Sequence, residues 1–213
     1  VIVGFAIHSS FKNAKYKYKE KYEQYVSSSF LLVAISFLVW FCLAFAFSKY
    51  LVRVMNLDRI SIYMLILYSF STAVINCVNA YFALNYEYQK FLAISAVNAI
   101  GNILISIYLI NTVYSSQRYL GRIIGTTLPA FVISVFIMCR FFLKSKPRNC
   151  KEFWKWGLHY SLPIIPHGIS QVILNQFDRI MIQNIIGASQ AGVYSFAYNI
   201  YSIIQVTTTS LDS

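Results

Sequence analysis

The chain of 213 residues is 58% hydrophobic and only 12% charged, with a mean hydropathy of +0.57. That balance excludes an ordinary soluble domain and points to an integral membrane protein. The net charge of +11 does not point to nucleic acid. The basic residues sit in short loops between apolar runs, where anionic headgroups and the positive-inside bias account for them.

The sequence opens in an apolar run, Val1 to Ile7, which reads as the tail of a preceding span. The absence of an initial Met and a second apolar run from Val193 to Leu211 make the chain read as a piece of a longer membrane protein. His8 to Tyr25 holds Lys12, Lys15, Lys17, Lys19 and Lys21 among four tyrosines. It fits either an interfacial helix lying along the headgroups or a solvated basic loop. Apolar stretches then predict spans over 26–47, 60–84, 91–113 and 119–143, each close to the 20 or so residues that cross the hydrocarbon. Short charged loops at 49–59, 85–90 and 114–118 separate them. Pro129 in the fourth predicts a bend, which a membrane helix tolerates when neighbours satisfy the freed carbonyl. Asn76, Asn79, Asn98 and Asn102 either line a cavity or bond between helices. Arg118 and Arg122 read as interface anchors. A basic loop over 144–155 leads to a fifth span, Leu158 to Ile186, and a sixth, Ala191 to Leu211, joined by a turn with Gly187 and Gly192. The expected fold is therefore all-α, a polytopic transmembrane helical bundle of about six spans.

Alternate loops differ in charge. The connections around 8–25, 85–90 and 140–155 carry twelve of the eighteen Lys and Arg, and those around 49–59, 114–122 and 187–192 carry five. The richer set is read as cytoplasmic. The basic loop near residue 150 is also the natural boundary between two helical bundles, 1–150 and 151–213.

No enzyme constellation appears: there is no GxSxG, HExxH, phosphate loop or paired-carboxylate spacing. Cys42, Cys77, Cys139 and Cys150 lack CxxC spacing, so neither a metal nor a disulfide framework is expected.

The fifth span carries the chemistry. At about 100° per residue, His167, Gln171, Asn175 and Asp178 share one arc, with Gln176, Arg179 and Gln183 on the arc beside it. Ile169, Ile173, Leu174, Phe177, Ile180 and Met181 fill the opposite side. A polar half cannot face lipid, so it must face other helices or a wet cavity. Asp178 and Arg179 are adjacent and point about 100° apart, so each needs its own partner. Ionisable residues within a span mark a functional site by default, though snorkelling to the far interface is the plain alternative. His167 is either a proton relay or a hydrogen-bonded interfacial residue. Leu162-Pro163 and Pro166 fit a helix start or a bent, gating helix.

Leu162-Pro163-Ile164-Ile165-Pro166-His167-Gly168, Asp178-Arg179-Ile180-Met181-Ile182, Gly187 and Ala191-Gly192-Val193-Tyr194-Ser195, in that order and spacing, resemble the start of the second lobe in bacterial polysaccharide-biosynthesis flippases of the MATE-like superfamily. Tyr16 to Ser29 resembles the cytoplasmic loop before that family's third helix. The resemblance implies a two-lobe transporter in the bacterial cytoplasmic membrane and a lobe junction near residue 150. Its function would be to flip an undecaprenyl-diphosphate-linked oligosaccharide for surface polysaccharide synthesis. It implies no bound cofactor, coupling to a proton or sodium gradient, and membrane lipids and other polysaccharide assembly proteins as partners. Arg179 would then attract the diphosphate, a role the guanidinium fork suits. Asp178 would orient it or exchange a proton, and Asn175, Gln171, His167 and Gln183 would complete the substrate-binding set. A MATE-like ion-coupled multidrug exporter and a membrane-embedded polysaccharide polymerase are the alternatives. The first wants an acidic or aromatic cavity, whereas the spans offer Asp178 as their one carboxylate. The second wants a large extracytoplasmic loop or a catalytic His/Asp pair.

Overall fold

The computed structural model describes residues 3–55, 57–114, 117–148 and 150–211. Among them the chain is helical with no strand, and it divides into two compact units, Val1–Ile165 and Pro166–Ser213. Val1 and Ile2 of the expected preceding span, and Ser115 and Ser116 of the third loop, lie outside the described residues.

The first unit begins with a 3-10 turn, Ile7–Ser10, and helix α1, Phe11–Tyr18. Helices α2 (Tyr22–Ala46), α4 (Arg59–Leu84), α5 (Tyr88–Thr112) and α6 (Arg118–Lys144) follow, with the short α3 (Ser48–Met55) between the first two. These four long helices are apolar enough to cross a membrane, α2 together with the segment that leads into it from Ile7. At about 1.5 Å per residue each matches the hydrocarbon thickness. The predicted spans agree with them to within a few residues. The 49–59 connection is itself helical over α3, where a plain loop was expected. Helix α6 continues through Pro129.

The basic segment at 8–25 is helical over most of its length and packs one face on the core, rather than forming a solvated loop. Phe11, Ala14 and Tyr25 are fully buried, and Tyr22 at the start of α2 is buried. The positions 11, 14, 18, 22 and 25 repeat every three or four residues and form one aromatic seam into the core, while Lys12 and Lys17 stay exposed. Lys15 donates to the Leu84 carbonyl at 2.6 Å and to Asn85 Oδ1 at 2.9 Å. It places a cation at the C-terminus of α4, where the helix dipole favours one.

Helix α7, Cys150–Ser161, packs on the same seam. Phe153 is buried, its ring meets Tyr18 and Tyr25 edge-on, and Trp154 Nε1 donates to the Ser28 carbonyl at 2.7 Å. α5 packs chiefly on α6. A Cβ added at Gly125 would lie 2.6 Å from the Ser106 backbone, at Gly121 3.2 Å from the Ile110 backbone, and at Gly101 3.2 Å from Pro129. The three pairs advance in opposite directions along the two helices, so α5 and α6 are an antiparallel pair brought together by small residues. Lipid tails are as apolar as the side chains, so close packing of this kind rather than hydrophobic expulsion holds such helices.

The continuous crossing rod expected from Leu158 to Ile186 is corrected by the structure. Helix α7 ends at Ser161, and α8 begins anew at Ile164 and runs to Ile185. Pro163 lacks an N–H to continue α7, and Pro166 sits in the first turn of α8, where a proline costs nothing. Helix α9, Ala188–Leu211, follows a turn at Gly187, whose φ of +125° is one that side-chain-bearing residues rarely adopt. At 22 and 24 residues, α8 and α9 are long enough to cross, but neither holds a stretch as continuously apolar as those of the other four.

Candidate functional site

The second unit holds the polar residues singled out from sequence. Gln176, Arg179, Ile180 and Gln183 recur at i, i+3, i+4 and i+7 on α8, and Ala188, Ala191, Gly192 and Ser195 repeat that spacing on α9. Each set is one helical face. Together they line a crevice of about 390 Å³. The face on α9 is made of small residues, and a Cβ built on Gly192 would meet nothing within 4 Å. The space therefore exists because α9 presents no bulk there.

Asp178 and Arg179 take separate partners, as their 100° divergence requires. Tyr194 Oη donates to Asp178 Oδ2 at 3.1 Å. The Arg179 guanidinium lies over the Tyr198 ring, 4.6 Å from its centroid, and its Nη1 donates to Gln176 Oε1 at 3.3 Å. Its Nε is buried without a hydrogen-bond partner. Tyrosine holds the guanidinium plane through its ring face.

The structure brings together only part of the predicted set. Arg179 and Gln183 line the crevice, and Asp178 sits on the adjoining arc. His167, Gln171 and Asn175 are exposed on α8 and make no side-chain hydrogen bond among the described residues. The arc beside the one that looked most polar is thus the arc that builds the crevice. Sequence reading missed Tyr194 and Tyr198, and the small-residue face of α9. The i, i+4 spacing of the two tyrosines and the i, i+3, i+4, i+7 spacing of the small residues were the available signals.

In the first unit, Asn102 Oδ1 accepts from Ser106 Oγ at 3.1 Å, Thr126 Oγ1 at 3.3 Å and Arg122 Nη1 at 3.3 Å. Asn102 therefore bonds between helices, and Arg122 is one of its donors. Asn79 and Asn98 keep a buried Oδ1 without a partner, and Asn76 is exposed. The four cysteines are free thiols. Among the described residues no group of three or more His, Cys, Asp or Glu is placed to hold a metal ion.

No curated protein matches the chain, and no solved structure does. A family model described as polysaccharide biosynthesis protein matches residues 2–211, nearly the whole length of this helical membrane chain, and the chain therefore belongs to the polysaccharide biosynthesis protein family.

Proposed function

We propose that the chain forms part of a transporter that flips an undecaprenyl-diphosphate-linked oligosaccharide across the bacterial cytoplasmic membrane, with no chemical step of its own. Residues 1–150 would be later helices of the first lobe, and residues 151–213 the start of the second. Family membership supports a role in polysaccharide biosynthesis, and the four long apolar helices support a place in the membrane. The observation that carries the finer reading is Arg179. A guanidinium that lines the crevice and is held by an aromatic face suits phosphate oxygens in a medium of low dielectric. Gln176, Gln183 and Ser195 offer hydrogen bonds to a ligand's sugar hydroxyls. Alternating access between helical bundles would carry the headgroup across, drawing on a proton or sodium gradient. The test is complementation: a deletion strain given Arg179→Ala at normal protein level should fail to display surface polysaccharide. Wild-type display from that strain rejects the assignment.

A further inference from the structure

A larger cavity than the Arg179 crevice lies in the first unit. It is a groove of about 690 Å³ between the ends of α4, α5 and α6, within the size range of ligand sites. One end is charged, with Glu87, Lys90, Arg140 and Lys144 at the rim, and the rest is apolar, walled by Ala93, Val97, Val132 and Phe136. Val97, Val132 and Phe136 are 59%, 63% and 65% exposed, so the apolar walls open outward.

The rim is specific in its charge. Lys90 pairs with Glu87 at 2.8 Å, and Lys144 with Glu23 at 2.5 Å. Arg140 is exposed and makes no ion pair or hydrogen bond among the described residues. The groove therefore offers one uncompensated cation, with two compensated ones beside it. Twelve residues of α6 separate Lys144 from Val132, about 18 Å along the axis. Half of the hydrocarbon core is about 15 Å. The groove is thus about as deep as one leaflet, with its charged end at headgroup level. The loops at that end belong to the lysine- and arginine-rich set, which the positive-inside bias places on the cytoplasmic side.

The geometry points to a binding site for an anionic phospholipid of the cytoplasmic leaflet, its phosphate at Arg140 and one acyl chain along Ala93, Val97, Val132 and Phe136. A single negative headgroup matches a single unpaired cation, and the aliphatic walls match a chain rather than a sugar. The site shares no lining residue with the Arg179 crevice and does not rest on the transport reading. Its failure leaves that reading standing.

The full chain, exchanged into nanodiscs of phosphatidylglycerol or of phosphatidylcholine, tests this by native mass spectrometry of retained lipid. The wild type should retain phosphatidylglycerol preferentially. Arg140→Gln, at an exposed and unpartnered position, should cut that preference about fivefold, the usual effect of one cation near a membrane surface. Val132→Trp, which fills the groove from an exposed position, should lower retention of both lipids while Arg140→Gln lowers only the anionic one. Equal retention of the two lipids by the wild type, or an unchanged preference in Arg140→Gln, overturns the proposal. So does displacement of phosphatidylglycerol by undecaprenyl phosphate at lower concentration than by phosphatidylglycerol itself, which would give the groove to the polyprenyl lipid.

Discussion

Arg179 and Tyr198 lie one above the other, the guanidinium carbon 4.6 Å from the ring centroid, so the plane of the cation is set by α9 while its charge comes from α8. Such a contact contributes about 0.5–1 kcal/mol where exposed and more where desolvated. Charge and orientation can therefore be separated by mutation. On the transport reading proposed above, Arg179→Ala should abolish translocation. Arg179→Lys keeps the charge and loses the fork, and should transport at a small fraction of the wild-type rate. Tyr198→Leu should fall between the wild type and Arg179→Lys. Uptake of a labelled lipid-linked oligosaccharide into proteoliposomes reads the order. Equal rates for Arg179→Lys and the wild type would show that a point charge suffices.

Gly192 offers a cleaner test of the crevice itself. A Cβ there meets nothing within 4 Å, so the side chain of Gly192→Leu starts in open space and extends from the crevice wall. It should leave the thermal transition within about a degree of the wild type, since surface changes usually fall within about 0.5 kcal/mol. On the transport reading proposed above, transport should nevertheless drop severely. Retained transport in a folded Gly192→Leu protein would show that the substrate passes elsewhere.

How much of this was readable beforehand differs by element. The ends of α4, α5 and α6 were legible because an apolar window flanked by charge has only one reading at membrane thickness. The break after Ser161 was half legible: Pro163 announced it, but the apolar residues on both sides permitted a continuous rod. The burial of Phe11, Tyr22 and Tyr25 was hidden by the lysines between them, since a basic, tyrosine-rich segment looks alike at an interface and against a core. In α8, the wheel gave two adjacent polar arcs, and only α9 decides between them, through the small side chains of Ala188, Ala191 and Gly192. Composition of one helix cannot reveal what its neighbour leaves empty.

The α5–α6 pair sets backbone contact against polar contact. Gly125→Val would drive a side chain into the Ser106 backbone, where atoms stand 2.6 Å from the built Cβ and cannot swing aside. Overpacking of that kind costs about 1–3 kcal/mol, and this site should reach the upper end. Asn102→Ala removes the acceptor shared by Ser106, Arg122 and Thr126, yet polar contacts between membrane helices average about 0.6 kcal/mol. Thermal unfolding in detergent should therefore rank Gly125→Val as the more damaging by several degrees. The reverse order would mean that the Asn102 node, rather than close backbone approach, holds the pair together.

Gly157 controls how α7 seats on the rest of the first unit. A Cβ there would lie 2.6 Å from Tyr25 Oη and 2.7 Å from Ile7 Cδ1. The isoleucine tip can turn away, but Tyr25 is fully buried and shares a hydrogen bond with Ser10 at 2.5 Å, so relief at that atom breaks a buried polar contact. Losing it leaves the Tyr25 hydroxyl unsatisfied, at about 1–3 kcal/mol, while Ser10 Oγ keeps its bond to the Ile7 carbonyl at 2.6 Å. Gly157→Ala should loosen α7 first, because α7 is fastened mainly by that seam and by the bond from Trp154 to Ser28. Trypsin should then cut after Arg148 sooner than in the wild type, since the Arg148 carbonyl is tethered by Ser28 Oγ at 3.2 Å only while α7 stays down. Tyr25→Phe, which removes the hydroxyl that Gly157→Ala would strike, should restore much of the lost protection in the double variant. Additive losses in the double variant would place the fault in the helix backbone of α7 instead of at the tyrosine.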